Sequence, residues 1–311
     1  MLDKIRLILA LRRVEPVPHV ARFAILSAAF LLCGCSGSIF DPHGPIGAAN
    51  SKILLDALAI MLVIVVPTIV GLLVFAWWFR ESNTRARYRP DFVYSGRIEL
   101  IVWAIPLLVI LFLGGVIWIG AHQLDPYEPL SSDKKSMEVQ VVSLDWKWLF
   151  IYPDQRIASV NELVIPAATP VHFSLTSASV MNAFFVPQLG SMIATMNGMV
   201  TQLHLQADEP GEFLGESTQY SGDGFSDMRF AVRAVSQDEF ARWIASAQQS
   251  GPVLDRAAYE ALAQQSQNVQ PSTFRSVEPN LFDAIAKQQI AASAGPQSGQ
   301  GGVGVRPIGG R

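Results

Sequence analysis

Met228-Arg229-Phe230-Ala231-Val232-Arg233-Ala234 is the stretch on which the fold class turns. Met228, Phe230, Val232 and Ala234 occupy every second position and alternate with Arg229, Ala231 and Arg233. Successive side chains of an extended strand point to opposite faces, so a period of two marks a strand with one buried face. Upstream, Val171, Phe173 and Leu175 alternate with His172, Ser174 and Thr176, and Leu203, Leu205 and Ala207 with His204 and Gln206. Further strands are predicted over 139–144, 146–152 and 183–186. Pro153, Pro166, Pro170, Pro187 and Pro210-Gly211 break the runs, because proline cannot donate to a strand ladder and glycine favours turns. Many short strands without intervening helices predict a β-sandwich over 125–235.

Past Val235 the period lengthens. Ser236 and Glu239 have capping-box spacing ahead of Phe240, Trp243 and Ile244, which recur at helical intervals. Leu254, Ala258, Tyr259 and Leu262 predict a second short helix and 281–290 a third, giving a helical C-terminal arm over 236–290. From 291 to 311 the chain is rich in Gly, Gln and Pro with little to bury, a composition expected to be disordered.

On the N-terminal side, 57–79 and 100–121 are uncharged runs of roughly 20 residues or more, the length needed to cross hydrocarbon. Spans are expected at about 53–79 and 98–121. Pro67 and Pro106 are tolerated in lipid, where neighbouring groups satisfy the carbonyls they free, and Trp77, Trp78 and Trp118 sit near span ends as interfacial aromatics do. Arg80, Arg85, Arg87, Arg89 and Arg97 lie between the spans against Glu81 and Asp91, so the loop is expected on the cytoplasmic side. Everything from about residue 125 is then outside. A mean hydropathy of +0.30 fits a membrane protein, and a net charge of −3 offers no global field for nucleic acid.

Lys4, Arg6, Arg12, Arg13 and Arg22 precede an apolar stretch over 23–32, too short to span a bilayer and patterned as a secretory signal. Leu32-Cys33-Gly34-Cys35 resembles a bacterial lipobox, which implies removal of 1–34 and a diacylglycerol on Cys35. The segment 35–124 would then hold the lipidated N-terminus and both spans. Cys33 and Cys35 are the only two cysteines, so the body of the chain has neither a disulfide framework nor a thiolate metal site.

Several pieces in fixed order carry a family resemblance. They are Asp145-Trp146-Lys147-Trp148-Leu149-Phe150-Ile151-Tyr152-Pro153, Val164-Ile165-Pro166, Leu175-Thr176-Ser177, Phe184-Phe185-Val186-Pro187-Gln188-Leu189-Gly190 and Pro210-Gly211. With the two spans they resemble subunit II of the haem-copper oxidases over about 50–288. Ala257-Ala258-Tyr259-Glu260-Ala261-Leu262-Ala263 and Val277-Glu278-Pro279-Asn280-Leu281-Phe282 resemble the bo-type quinol-oxidase branch. The resemblance implies a periplasmic cupredoxin-like Greek-key sandwich behind a two-helix hairpin in the bacterial inner membrane.

The cytochrome c oxidase branch holds a dinuclear copper centre in this domain. Its ligand positions map onto Asn182, Ser217, Gln219, Ser221, Phe225 and Met228, of which only Met228 keeps the residue type. Soft Cu(I) needs soft ligands, and serine hydroxyls do not replace bridging thiolates, so no metal, cofactor or catalytic residue is expected in this chain. The resemblance instead implies a non-copper subunit of a proton-pumping quinol:oxygen oxidoreductase. Quinol would deliver electrons directly to subunit I, where the haems and the remaining copper would reside. Expected partners are subunits I, III and IV and membrane lipid, with no cytochrome c and no nucleic acid.

His43, His122, His172 and His204 show no ligand spacing and are expected at surfaces or interfaces, and Trp146, Trp148, Phe150 and Tyr152 in the sandwich core. In the family a subunit II carboxylate at the position of Glu99 resembles the mouth of a proton-uptake path, which implies such a role for Glu99. A helix-end Glu favoured by the macrodipole is the plain alternative. Two other functions stand beside the quinol-oxidase one. A cytochrome c oxidase subunit II is opposed by the lack of cysteine after Cys35, and a lipoprotein scaffold unconnected to respiration by the arm motifs.

Overall fold

The computed structural model describes residues 39–87 and 89–293. The expected signal segment, Cys33, Cys35 and positions 294–311 of the expected tail lie outside them.

Two long helices come first, α1 (Pro45–Trp78) and α2 (Gly96–Gln123). Gly44 is the N-cap of α1 and Pro45 its first residue, where a missing N–H costs nothing. Pro67 and Pro106 lie inside the helices, as a lipid environment allows. No residue in the most apolar stretch of each helix is buried in a core, and both helices are long and apolar enough to cross a membrane.

Helix α1 begins well before the expected start at 53. Its 34 residues rise about 51 Å against the ~30 Å of a hydrocarbon core, so its first turns project beyond the lipid. Those turns are small and polar because they dock on the sandwich. His43 N–H donates to Gln188 O (2.8 Å), Gly47 N–H to Leu189 O (3.0 Å) and Asn50 Nδ2 to Ser191 Oγ (2.9 Å). A Cβ on Gly47 would sit 2.7 Å from Gln188 O, so this approach requires glycine.

The sandwich follows as β1 (Met137–Leu144), β2 (Lys147–Tyr152), β3 (Ile157–Val160), β4 (Glu162–Pro166), β5 (Val171–Ser177), β6 (Asn182–Phe185), β7 (Ile193–Thr195), β8 (Thr201–Leu205), β9 (Gly211–Ser217) and β10 (Arg229–Val235). After it come α3 (Gln237–Gln249), β11 (Val253–Leu254), α4 (Arg256–Leu262), β12 (Ser272–Phe274), β13 (Ser276–Val277) and α5 (Leu281–Ala286). One sheet has the order β12-β3-β2-β1-β5-β8 and the other β4-β10-β9-β6-β7. The chain crosses repeatedly between them. Its β1–β5 and β4–β10 pairs are parallel, whereas the rest of the two sheets is antiparallel. This is a cupredoxin-like arrangement. Pro166 ends β4, an edge strand, where an absent N–H leaves no ladder bond unmade.

Trp148, Phe150, Phe173, Phe184 and Phe230 fill the space between the sheets, with Val139, Val141, Leu175, Leu203 and Val232 around them. The outer face of β1–β3 is also covered. Val142, Leu149, Ile151 and Val160 pack against Leu254, Tyr259, Phe274, Leu281, Phe282 and Ile285 of the arm. Every residue of β2 is therefore buried, one face in the sandwich and the other under the arm.

The arm has its three expected helices and adds short strands between them. The capping box of Ser236 and Glu239 forms at α3, and α4 and α5 follow, but β12 extends the large sheet beside β3, and β11 pairs with β13. Gly251 makes the turn into β11 at φ +92, and a Cβ there would meet Thr273 O at 2.4 Å. The predicted third helix is shorter than 281–290 and stops at Ala286, with Gln288 at φ 56.

Candidate functional site

The corner of interest forms where the β1–β2 turn, the start of β6 and the end of β9 meet the loop running to Met228. Four of the six mapped positions come together there, and all four are buried: Asn182, Ser217, Ser221 and Met228. Ser217 Oγ donates to Asn182 Oδ1 (3.2 Å) and Ser221 Oγ to the Met228 thioether (3.9 Å). Ser217 N–H reaches Met228 O at 3.1 Å and Thr218 N–H reaches Ala183 O at 3.2 Å, which pins the loop to both strands. Gln219 is exposed, and Phe225 lies half-buried in a short 3₁₀ turn (Phe225–Asp227) with its ring edge-on to Tyr220 at 5.6 Å.

These groups satisfy one another. Ser217 Oγ also lies 3.5 Å from Ala183 N–H and 3.4 Å from Gln219 O. An amide oxygen and two hydroxyls are hard, neutral donors, and the single soft thioether of Met228 does not replace the thiolates and imidazoles that hold a copper pair. The residues present do not fit that centre. Among the described residues no group of three or more His, Cys, Asp or Glu could hold a metal ion.

Trp146 is placed differently from its expectation as a core strand residue. It is the second residue of the two-residue turn between β1 and β2, at φ 64, and is absent from the aromatic core. Its ring covers the loop instead. Trp146 Nε1 donates to Ser221 O (2.9 Å), and a Cβ on Gly224 would lie 2.5 Å from the indole. The remaining residues of the run, Trp148, Phe150 and Tyr152, do lie in the core.

Glu99 lies in the first turn of α2, with its N–H on Ser95 O at 3.0 Å and its side chain exposed. No ion pair engages it among the described residues.

One of the histidines, His204, departs from the expected surface or interfacial positions, whereas His172 is half-buried. His172 and His204 face each other across β5 and β8 with rings 4.5 Å apart and nearly parallel. His204 is buried, with Nδ1 donating to Pro126 O (3.1 Å), and His172 donates from Nδ1 to Glu138 (2.7 Å). Pattern reasoning also passed over Lys147, which is 1% exposed beneath the arm. A charge amid Trp146, Trp148 and Phe150 was the available signal.

Residues 149–235 match the family described as "Cytochrome C oxidase subunit II, periplasmic domain", and residues 248–291 match the "COX Aromatic Rich Motif". "Ubiquinol oxidase subunit 2" of Acetobacter aceti is 50% identical over 269 residues, covering 86% of this chain and 87% of that protein. "Cytochrome bo(3) ubiquinol oxidase subunit 2" of Pseudomonas aeruginosa is 49% identical over 260 residues, covering 84% and 78%. Its counterpart in Pseudomonas putida is 47% identical over 268 residues, covering 86% and 85%. Sharing about half its residues with these proteins along most of both chains, the protein belongs to the ubiquinol oxidase subunit 2 family.

Proposed function

We propose that this subunit of a quinol oxidase is a copper-free structural partner of the subunit that oxidises ubiquinol and reduces oxygen. The donor set of Asn182, Ser217, Ser221 and Met228 carries the reading, because without thiolates the periplasmic domain has no relay through which electrons could enter. Quinol then delivers them directly to haem in subunit I, whose chemistry also requires copper, and the complex pumps protons. The α1–α2 hairpin holds the chain in the inner membrane beside subunits I, III and IV, with a cytoplasmic loop between the spans. Cys35 adds a diacylglycerol on the periplasmic side after removal of 1–34.

One preparation tests these points. The complex, purified through a tag on this chain, is expected to show haem in its visible spectrum, to oxidise ubiquinol, and to hold no copper beyond that of subunit I. Extra copper that disappears when this chain is dissociated would refute the copper-free reading. Mass spectrometry of the same preparation should find an N-terminal peptide beginning at a diacylated Cys35. An intact Met1 would rule out the anchor.

Glu99 is proposed as a proton collector at the cytoplasmic start of α2. Its exposed carboxylate stands where the helix enters the apolar run, and a charge kept so near lipid is more than capping requires. Glu99→Ala is expected to slow ubiquinol oxidation severalfold, with haem content and assembly unchanged, while Glu99→Asp preserves most of the rate. Full activity in the alanine variant would leave Glu99 as a helix-end charge favoured by the macrodipole alone.

A further inference from the structure

The loop between α1 and α2 carries four arginines, Arg80, Arg85, Arg87 and Arg89, against two carboxylates, Glu81 and Asp91. No ion pair neutralises any of the four among the described residues. Nor are they strung along an open coil. Asn83 Nδ2 donates to Trp78 O at the C-terminus of α1 (2.5 Å), Asn83 N–H to Arg80 O (2.9 Å), and Arg85 N–H to Asn83 Oδ1 (3.2 Å). These bonds satisfy a helix-terminal carbonyl and fold the loop back over the helix end. The result is a cleft of about 810 Å³ with Arg80, Arg85, Arg87 and Arg89 among its walls, together with Trp78 and Phe92. Arg80 is held in place by Ser82 Oγ (3.0 Å from Nε) and by the Trp77 ring, 5.0 Å from its guanidinium carbon.

The occupant must suit both walls. Guanidinium groups present planar N–H donors that match phosphate oxygens. Trp78 and Phe92, 43% and 57% exposed, would be left wet by a free inorganic anion. Because α1 ends at Trp78, the cleft opens at the level where the apolar surface of the helix begins. A ligand with an anionic head and apolar tails meets both conditions, its head among the arginines and its chains along the lipid-facing side of α1.

We propose that this cleft binds the phosphate headgroup of an anionic phospholipid. The proposal rests on α1 and α2 being membrane spans. Each arginine near an anionic headgroup region is worth a severalfold preference, so three together are worth on the order of a hundredfold.

The oxidase complex, purified in detergent and equilibrated with phosphatidylglycerol or phosphatidylcholine, is weighed by native mass spectrometry. Retention of phosphatidylglycerol over phosphatidylcholine is expected. The combined Arg85→Gln, Arg87→Gln and Arg89→Gln variant should lose that preference on the order of a hundredfold. Each single variant should lose severalfold, which preserves the comparison if the triple variant does not assemble. Unchanged phosphatidylglycerol retention in the variants overturns the proposal, and so does displacement of the lipid by millimolar inorganic phosphate. Loss of a partner subunit from the triple variant, with lipid retention intact on the remainder, also overturns it by identifying the cleft as a protein contact. Release of the chain from membranes by alkaline carbonate would instead remove the span reading itself.

Discussion

Replacing Phe184 with alanine is expected to lower the stability of the periplasmic domain by about 3–5 kcal/mol. The side chain is fully buried on β6, yet its ring belongs to both sheets. It stacks on Phe230 of the same sheet (5.2 Å, 19°) and meets Trp148 edge-on (5.6 Å, 78°) and Phe173 (5.6 Å) from the facing sheet. Truncation removes the transfer free energy of the ring and leaves a void whose walls are rings on hydrogen-bonded strands, so little collapse can fill it. A domain of this size has about 5–15 kcal/mol in total, so the loss is a large fraction. The effect should reach the site, because Phe184 pairs in register with Ser217. Urea unfolding of the purified protein, followed by near-ultraviolet circular dichroism, measures the change. Leu214→Ala is the control, since Leu214 on neighbouring β9 is 51% exposed and should change stability by no more than about 0.5 kcal/mol. Equal losses in the two variants would mean that Phe184 does not hold the sheets together.

How far the sandwich could be read in advance depended on whether each strand has one wet face. β10 buries Phe230, Val232 and Ala234 and exposes or half-exposes the residues between them, so its period is visible. β3 is buried at all four positions because the arm covers its second face, and no alternation remains to detect. β9 was hidden for another reason. Its inward positions are Phe213, Gly215 and Ser217 while Leu214 faces out, which scrambles the apolar pattern. Gly215 faces inward because the Phe230 ring fills its space, and a Cβ there would lie 2.0 Å from that ring. The spans were legible from apolarity alone, but apolarity marks only the part of a helix that meets lipid. The first turns of α1, chosen for close approach to Gln188 and Leu189, fell outside it.

The site was legible where chemistry decides and obscure where backbone decides. Missing thiols at 217 and 221 are visible in the letters. That Trp146 would roof the loop is not, because a tryptophan at φ 64 contradicts the Gly and Asn preference of a two-residue hairpin turn. His204 reads as a polar-face strand residue. It is buried because the segment following α2 lays Pro126 across it, a contact 78 positions apart in the chain.

The stability of the periplasmic domain is expected to rise as pH increases from about 8 to about 10, and to fall above that. Lys147, buried beneath the arm, donates from Nζ to Gln264 O (2.7 Å), Ser266 Oγ (2.6 Å) and Asp145 O (3.3 Å). Burial nevertheless pushes its ammonium down from 10.5 to about 8, with the Asp145 charge offsetting part of the shift. Between those values the unfolded chain keeps a proton that the folded chain has released, so stability climbs with pH. At 1.36 kcal/mol per pH unit the full climb is worth about 3 kcal/mol, reached only near the unfolded value. Tyr152 and Tyr259 act in the opposite sense. Burial raises both phenols well above their usual 10, and for Tyr152 it outweighs the opposing effect of the hydrogen bonds between Oη and the N–H (2.9 Å) and O (3.1 Å) of Val164. Above pH 10 the unfolded tyrosines ionise while the folded ones keep their protons, which favours unfolding. The two effects place the maximum near the pH where lysine gain gives way to tyrosine loss. Urea midpoints measured from pH 7 to 11 test the shape. Lys147→Met should abolish the rise and keep the fall, because the substitution removes the lysine proton and leaves both phenols in place. A wild-type midpoint that is flat between pH 8 and 10 would refute the assignment, as would an undiminished rise in the variant.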